Sequence, residues 1–382
     1  MPSAISLSDS ATAERLREFL LDPHDGMFHG PYVRSRLPYA PAEHWEGVLS
    51  WLPEWFEPYR HQAQAFERLA SWGPGGAKRP EPTLVVTGTG SGKTESFLYP
   101  VLDHCRRNPG SGIKAVILYP MNALAADQER RLAELLTSNS ELSGITAGLF
   151  TGEVVSGGRR MVSEQGLITD RDVMRDTPPD ILLTNYKMLD QLLLREDNRA
   201  LWEKSAQTLQ YLVLDEFHTY DAAQGTDVAM LLRRLGLMLR KYQPEGFLSA
   251  EEKARPLGRV TPVATSATLG GGPTADGLQE MLKFAYTVFG EQLPEDAIVG
   301  ETLLDVSQWQ ATLPELLGQP LPPVTGVPEV GEVRAIVEKL SELVDSGVEY
   351  QEAVHRIACA HIFHCAEDTE SAIAAMATNE VV

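Results

Sequence analysis

Short apolar runs recur along the chain, and each breaks off at a polar tip. They fall at 83–86 (Thr-Leu-Val-Val), 115–118 (Ala-Val-Ile-Leu), 147–150 (Ala-Gly-Leu-Phe), 180–183 (Asp-Ile-Leu-Leu), 211–214 (Tyr-Leu-Val-Leu) and 261–264 (Thr-Pro-Val-Ala). Apolar runs of this length without alternation read as strands buried on both faces. Helical stretches separate them: one starts near Pro58, and others follow Thr94, Asn122 and Asn185. Strands alternating with helices predict an α/β fold, a mostly parallel sheet with helices on both faces. Ligands of such sheets sit at the carboxyl ends of the strands, where every one of these polar tips lies.

The tip after the first run carries the most chemistry. Thr87-Gly88-Thr89-Gly90-Ser91-Gly92-Lys93-Thr94 stands between a strand and a helix, the arrangement that cradles nucleotide phosphates. Glycine lets the loop wrap closely with its N–H groups turned inward. The following helix adds its unpaired N–H groups and positive dipole end. Lys93 is placed to reach β- and γ-phosphate oxygens, and the Thr94 hydroxyl to ligate Mg²⁺. Thr87 departs from the common pattern, which has glycine there.

The tip after 211–214, Asp215-Glu216-Phe217-His218, supplies a complementary acid pair. Asp215 is a hard oxygen ligand for Mg²⁺, and Glu216 can orient and deprotonate an attacking water. Lys93, Asp215 and Glu216 are therefore the candidate catalytic residues, with Thr94 and Asp215 the candidate metal ligands. Gln62, upstream of the loop, has an amide that both donates and accepts, which suits the N6 and N7 edge of adenine. Ser266 and Thr268 carry small hydroxyls that can bridge the acid pair to neighbouring loops.

Charge narrows the choice of partner. Acidic residues outnumber basic ones 53 to 33, a formal net charge of −20, which argues against a protein that coats nucleic acid broadly. A local basic track remains open, with candidates at Arg106-Arg107, Lys114, Arg130-Arg131, Arg159-Arg160, and Arg233-Arg234 with Arg240-Lys241. The three cysteines, Cys105, Cys359 and Cys365, set no disulfide framework and point to a reducing cytoplasm. No apolar run approaches membrane-spanning length, and the N-terminus lacks a leader pattern.

Residues 1–55 read as an accessory arm, a helix over 11–21 followed by a stretch rich in proline and aromatics. Residues 56–305 hold all the polar tips, and 306–382 read as a proline-rich linker and helical tail. Gly157-Gly158-Arg159-Arg160 reads as a mobile loop. His355, Cys359, His361, His364 and Cys365 read as faces of an amphipathic helix. Their two i,i+4 pairs point in different directions, unlike the converging ligands of a zinc site.

Together these residues resemble the first RecA-like domain of superfamily 2 DEAD/DEAH-box helicases over about residues 56–305. The loop at 87–94 looks like motif I, 119–128 like motif Ia, 183–189 like motif Ib and 215–218 like a DEFH form of motif II. Residues 215–235 are similar to the same run in MrfA/YprA-type DNA helicases. The large helicase subunits of anti-phage systems such as DISARM and Druantia are further relatives. The resemblance implies ATP and Mg²⁺ as cofactors, with Gln62 and 87–94 binding nucleotide. His218, Ser266 and Thr268 would couple hydrolysis to domain movement. Asn122, Thr151, Gly152, Thr184 and Asn185 would contact a nucleic-acid backbone, DNA ahead of RNA, with genome defence or repair as the setting. Family members also carry a second RecA-like domain with motifs IV to VI, which the sequence after Leu269 does not provide. The expectation is a chain that alone binds ATP but hydrolyses it poorly and cannot unwind, needing a protein partner or a C-terminal half. A non-translocating ATP-binding scaffold is the alternative.

Overall fold

The computed structural model describes residues 37–305 apart from 46, 54, 89, 153–157, 221 and 268–274, with isolated positions beyond that span (14, 15, 19, 20, 308, 339, 342, 343 and 346). The contacts divide the chain into Tyr39–Thr302 and a second unit, Met1–Pro38 with Leu303–Val382. The second unit falls almost wholly outside the described residues. With it go the helix expected over 11–21, the linker, the tail helices and the histidine–cysteine cluster.

A small antiparallel hairpin, β1 (Trp72–Gly73) and β2 (Gly76–Ala77), precedes the main sheet. The main sheet contains β3 (Thr83–Val86), β4 (Ala115–Leu118), β5 (Ala147–Phe150), β6 (Ile181–Thr184), β7 (Tyr211–Leu214), β8 (Thr261–Ser266) and β9 (Ile298–Gly300). Its spatial order is β5-β6-β4-β7-β8-β3-β9, and every neighbouring pair is parallel. The α/β class and the parallel sheet expected from the apolar runs are thus what the chain adopts. Two boundaries differ. β6 starts one residue late because the Asp180 carboxylate is taken by Lys114 and Thr146, and β8 runs on to Ser266. β9 has no counterpart among the apolar runs: it is three residues long and ends in glycine.

Within each run, successive side chains alternate between faces although all are apolar. Leu84, Val86, Val116, Leu118, Leu182, Leu212 and Leu214 enter one core. Ala115, Ile117, Ile181, Leu183, Tyr211 and Val213 enter the other. Helices α1 (Arg60–Leu69), α2 (Lys93–Arg107) and α3 (Asn122–Ser138) cover the second face through Phe66, Phe97, Val101 and Leu132. The first face is covered by α4 (Arg171–Asp176), α5 (Tyr186–Leu194), α6 (Arg199–Ser205), α7 (Ala222–Tyr242) and, beyond the short α8 (Ala250–Ala254), α9 (Ala275–Phe289). Covering both faces is what permits an all-parallel sheet of such apolar strands. Among the described residues, no helix is long and apolar enough to cross a membrane.

Lys114 is not a phosphate contact. It is 2% exposed, pairs with Asp180 and donates to the Gly110 carbonyl at 2.7 Å. The second Asp180 oxygen accepts from the Thr146 N–H (2.7 Å) and hydroxyl (2.9 Å). These groups lie at the amino-terminal ends of β4, β5 and β6, and they tie the three strands into register. Removing one member strands the other charge in a dry interior. Lys114→Met is expected to lower the unfolding free energy by about 3–5 kcal/mol in a urea titration. A loss below about 1 kcal/mol would show that the pair does not hold the register.

Candidate functional site

β3 ends at Val86, and the chain folds back to begin α2 at Lys93. Gly90 and Gly92 take φ values of 76° and 75°, a region that a side chain disfavours. At Gly92 the space is closed as well, since a Cβ would stand 2.2 Å from Gln62 Nε2. Thr87, where glycine is usual, is fully buried and uses its hydroxyl. The Ser91 hydroxyl donates to the Gly88 carbonyl (2.8 Å), so the Thr87 hydroxyl donates to Ser91 Oγ (2.6 Å). Lys93 Nζ rests on the Thr87 carbonyl at 3.2 Å. Thr94 is half-buried one residue on, and Thr89 lies outside the described residues.

The acid pair emerges from β7 beside β8. Their register pairs Leu214 with Ala264, which brings Asp215 next to Thr265. The Thr265 hydroxyl donates to Asp215 Oδ1 and accepts from the Glu216 N–H at 3.2 Å. Burial raises the Asp215 pKa above its ordinary value; the Thr265 bond opposes this, the Glu216 charge adds to it, and the Lys93 charge opposes it. The Lys93 charge is therefore felt at Asp215, as a shared site requires. Glu216 has φ 50° and ψ 52°, the one non-glycine with positive φ among the described residues. Such a conformation costs about 1–2 kcal/mol. The Thr219 N–H and hydroxyl hold it, donating to the Glu216 carbonyl at 2.8 and 2.7 Å. His218 Nδ1 lies 3.2 Å from Ser266 Oγ and 3.6 Å from Glu216 Oε2. Ser266 thus meets the histidine of the tip, while Thr265 bridges the acid pair. Thr268 lies outside the described residues.

Two further elements brace the phosphate loop. Gln62 accepts from the Tyr59 N–H at 2.9 Å and donates to the Gly92 carbonyl at 3.3 Å, locking α1 to the start of α2. Its neighbour His61 places Nε2 2.8 Å from the Ser91 carbonyl. A carbonyl only accepts, so Nε2 carries the proton. Burial lowers the His61 pKa against that bond and the Glu301 charge. Glu301, just past β9, accepts from the Gly88 N–H at 2.7 Å.

The remaining tips form the other half of the same edge. Asn122 opens α3 after β4, and Asn185 caps α5 after β6 by accepting from the Met188 N–H at 2.8 Å. Asn185 Nδ2 donates to Asn122 Oδ1 at 2.7 Å. Thr151 and Gly152 follow β5, with Gly152 exposed. Thr184 is fully buried, its hydroxyl spent on the Phe150 carbonyl at 2.7 Å. The basic candidates are mostly committed elsewhere. Arg106 and Arg107 bond Asp103 and Ser50, Arg131 bonds Glu95, and Arg233 and Arg240 donate to backbone carbonyls. Of the loop 157–160, read as mobile, Gly157 lies outside the described residues and Arg159 is pinned: its N–H donates to Thr169 Oγ1 and its carbonyl accepts from the Thr169 and Asp170 N–H groups.

Thr265, His61, Glu301 and Arg171 were not singled out by sequence reasoning. Thr265 had a signal, a hydroxyl inside an otherwise apolar run at the register position of Asp215. Glu301 had none, because its partner is 213 residues away.

The residues present fit a magnesium–triphosphate: a turn with two glycines at positive φ leading into a helix, a lysine, and hard oxygen donors on Thr94 and Asp215. Folding raises the Asp215 pKa, so the stability gained by its protonated form is lost as pH rises through that pKa. Asp215→Asn is expected to melt above the parent chain near pH 7, with the gap closing as pH falls towards the carboxylate range. A variant melting at or below the parent at neutral pH would contradict the burial argument.

The comparisons with known proteins agree with this geometry. A family model for the DEAD/DEAH box helicase matches residues 59–273. The Druantia protein DruE of Escherichia coli (strain UMEA 4076-1) is 27% identical, over 57% of this chain and 18% of that protein. The ATP-dependent helicase YprA of Bacillus subtilis (strain 168) is 31% identical, over 49% of this chain and 21% of that protein. The chain spans about a fifth of the length of these curated relatives. The crystal structure of the DUF1998 helicase MrfA bound to DNA aligns at a TM-score of 0.49 and 20% identity, over 85% of this chain and 41% of that one; so loose a likeness adds no weight. The match over 59–273 runs from the helix of Gln62 to just past the β8 tip, and the chain accordingly belongs to the DEAD/DEAH box helicase family.

Proposed function

We propose that this chain is one motor half of an ATP-dependent nucleic-acid helicase or translocase. The observation that carries the reading is the division of one sheet edge between two sets of residues. The phosphate loop and the acid pair follow β3 and β7, and Ser266 ends β8 beside them; Asn122, Thr151 and Asn185 follow β4, β5 and β6. In this reading Lys93 leaves the Thr87 carbonyl to meet phosphate oxygens. Thr94 and Asp215 hold magnesium, whose charge offsets that of the phosphates. Glu216, aimed by its left-handed backbone, orients a water and takes its proton. Gln62 offers adenine its remaining N–H and lone pair. His218 and Ser266 join the acid tip to β8, so a change at one reaches the other.

The division into an accessory arm (1–55), a motor domain (56–305) and a linker with tail (306–382) belongs to the same proposal. So does a second RecA-like half, supplied by further chain or by a partner protein. DNA as substrate is supported by the similarity of 215–235 to MrfA/YprA-type helicases, genome defence by the Druantia relative, and a cytoplasmic setting by the cysteine usage.

ATP turnover, with and without oligonucleotide, tests the roles in the parent chain, Lys93→Ala and Glu216→Gln. Lys93→Ala is expected to lose binding of a fluorescent ATP analogue. Glu216→Gln is expected to bind it normally and turn over about 10²–10⁴-fold more slowly. Equal rates above background in all three chains, or equal analogue binding by the parent and Lys93→Ala, would remove the assigned roles. Oligonucleotide binding that ignores salt would favour the non-translocating scaffold, since phosphate contacts release counterions.

A further inference from the structure

Past the ends of β4 and β5 lies a cavity of about 370 Å³, lined in part by Asn122, Thr151, Thr169, Arg171 and the paired Arg159 and Glu129. Arg171 is anchored there without being neutralised. Its guanidinium carbon stands 4.8 Å from the centroid of the Phe150 ring, and one nitrogen donates to the Thr151 carbonyl at 2.8 Å. Among the described residues no carboxylate lies within ion-pair distance of it. Arg233, Arg240 and Arg259 also lack a carboxylate partner among those residues but spend their donors on carbonyl or amide oxygens away from any such cavity; Arg171 spends one, beside the cavity. Arg131 is paired with Glu95, Arg159 with Glu129, Arg175 with Asp172, and Arg234 with Asp190. The ring contact and the carbonyl bond hold the fork in place, while most of its five N–H donors stay unspent among the described residues. A planar, pre-oriented and unneutralised fork suits a tetrahedral oxyanion, and Asn122 and Thr169 add neutral polar groups beside it.

We infer that Arg171 is the principal phosphate contact for a single-stranded nucleic acid crossing this edge, with the cavity receiving one phosphodiester group. The inference rests on the motor reading, and it adds a residue outside the motifs that led to that reading. Arg159 serves as the wall: its pairing with Glu129 and its Leu167 carbonyl bond (2.8 Å) pin the segment that closes the cavity. The strand path runs from here to the Asn122–Asn185 pair, so a single backbone can touch both.

The test is a salt titration of fluorescein-labelled oligothymidylate binding by the full chain. The parent is compared with Arg171→Gln, with Asn122→Asp, and with Arg106→Gln as a charge-matched control in the last turn of α2, towards the opposite edge of the sheet. Arg171→Gln should bind about tenfold more weakly, and its slope of log K against log salt should be shallower by about 0.7. Asn122→Asp puts a carboxylate in the cavity while keeping an acceptor for Asn185, and an acid at a helix start favours folding. It should therefore bind more weakly without melting earlier, which keeps the inference testable even if Arg171→Gln fails to fold. Parent binding with normal salt dependence, matched by Arg171→Gln and Asn122→Asp, would overturn this inference and leave the motor reading standing. Absence of salt-dependent binding by the parent would overturn both.

Discussion

Seven parallel strands running in one direction, with fixed register, are the constraint on which everything else depends. Backbone ladders align Val86 with Ser266, Leu214 with Ala264, Leu118 with Leu214 and with Thr184, and Phe150 with Thr184. A residue following any of these strands must therefore surface on the same edge. Slipping one strand by a residue would also exchange its two faces, so apolar burial on both sides guards the alignment. At the far edge the buried Lys114–Asp180 pair, joined by Thr146, does the same for β4, β5 and β6. Chemistry at the carboxyl edge is held by electrostatics at the amino edge.

The acid pair illustrates how stability is given up where reactivity is wanted. Asp215 is held in a dry position against its preference for water, and Glu216 occupies a backbone region that L-residues avoid. Both are tolerated because Thr265 bonds each of them and Thr219 grips the Glu216 carbonyl. Strain that persists under such bracing is characteristic of sites whose geometry matters more than their local energy. The phosphate loop is braced from three directions: internally by Thr87 and Ser91, by Gln62 and His61 of α1, and by Glu301 after the last strand.

Net charge misleads about this surface. An acidic chain suggests little affinity for polyanions, yet some of its carboxylates are paired with arginines within the fold. The meaningful quantity is the charge left over at each place. On the edge past β4, β5 and β6, Arg171 has no carboxylate partner among the described residues.

Much of the architecture was legible in the residues themselves. Continuous apolar runs located six of the seven main strands to within a residue at their starts, because double-sided burial leaves no alternative composition. The phosphate loop and the acid pair were legible too, since glycine, lysine and adjacent carboxylates after apolar strands have few other uses. What stayed hidden depends on register and on long-range contacts. Thr265 rather than Ser266 meets Asp215 because parallel pairing sets which residue is opposite. Lys114 turned out buried because a partner 66 residues away decides what its charge does, and Arg171 has no carboxylate partner among the described residues. Local sequence states which groups a chain carries; only the packed sheet decides which of them are left facing one another, since that follows from spatial neighbours rather than from neighbours along the chain.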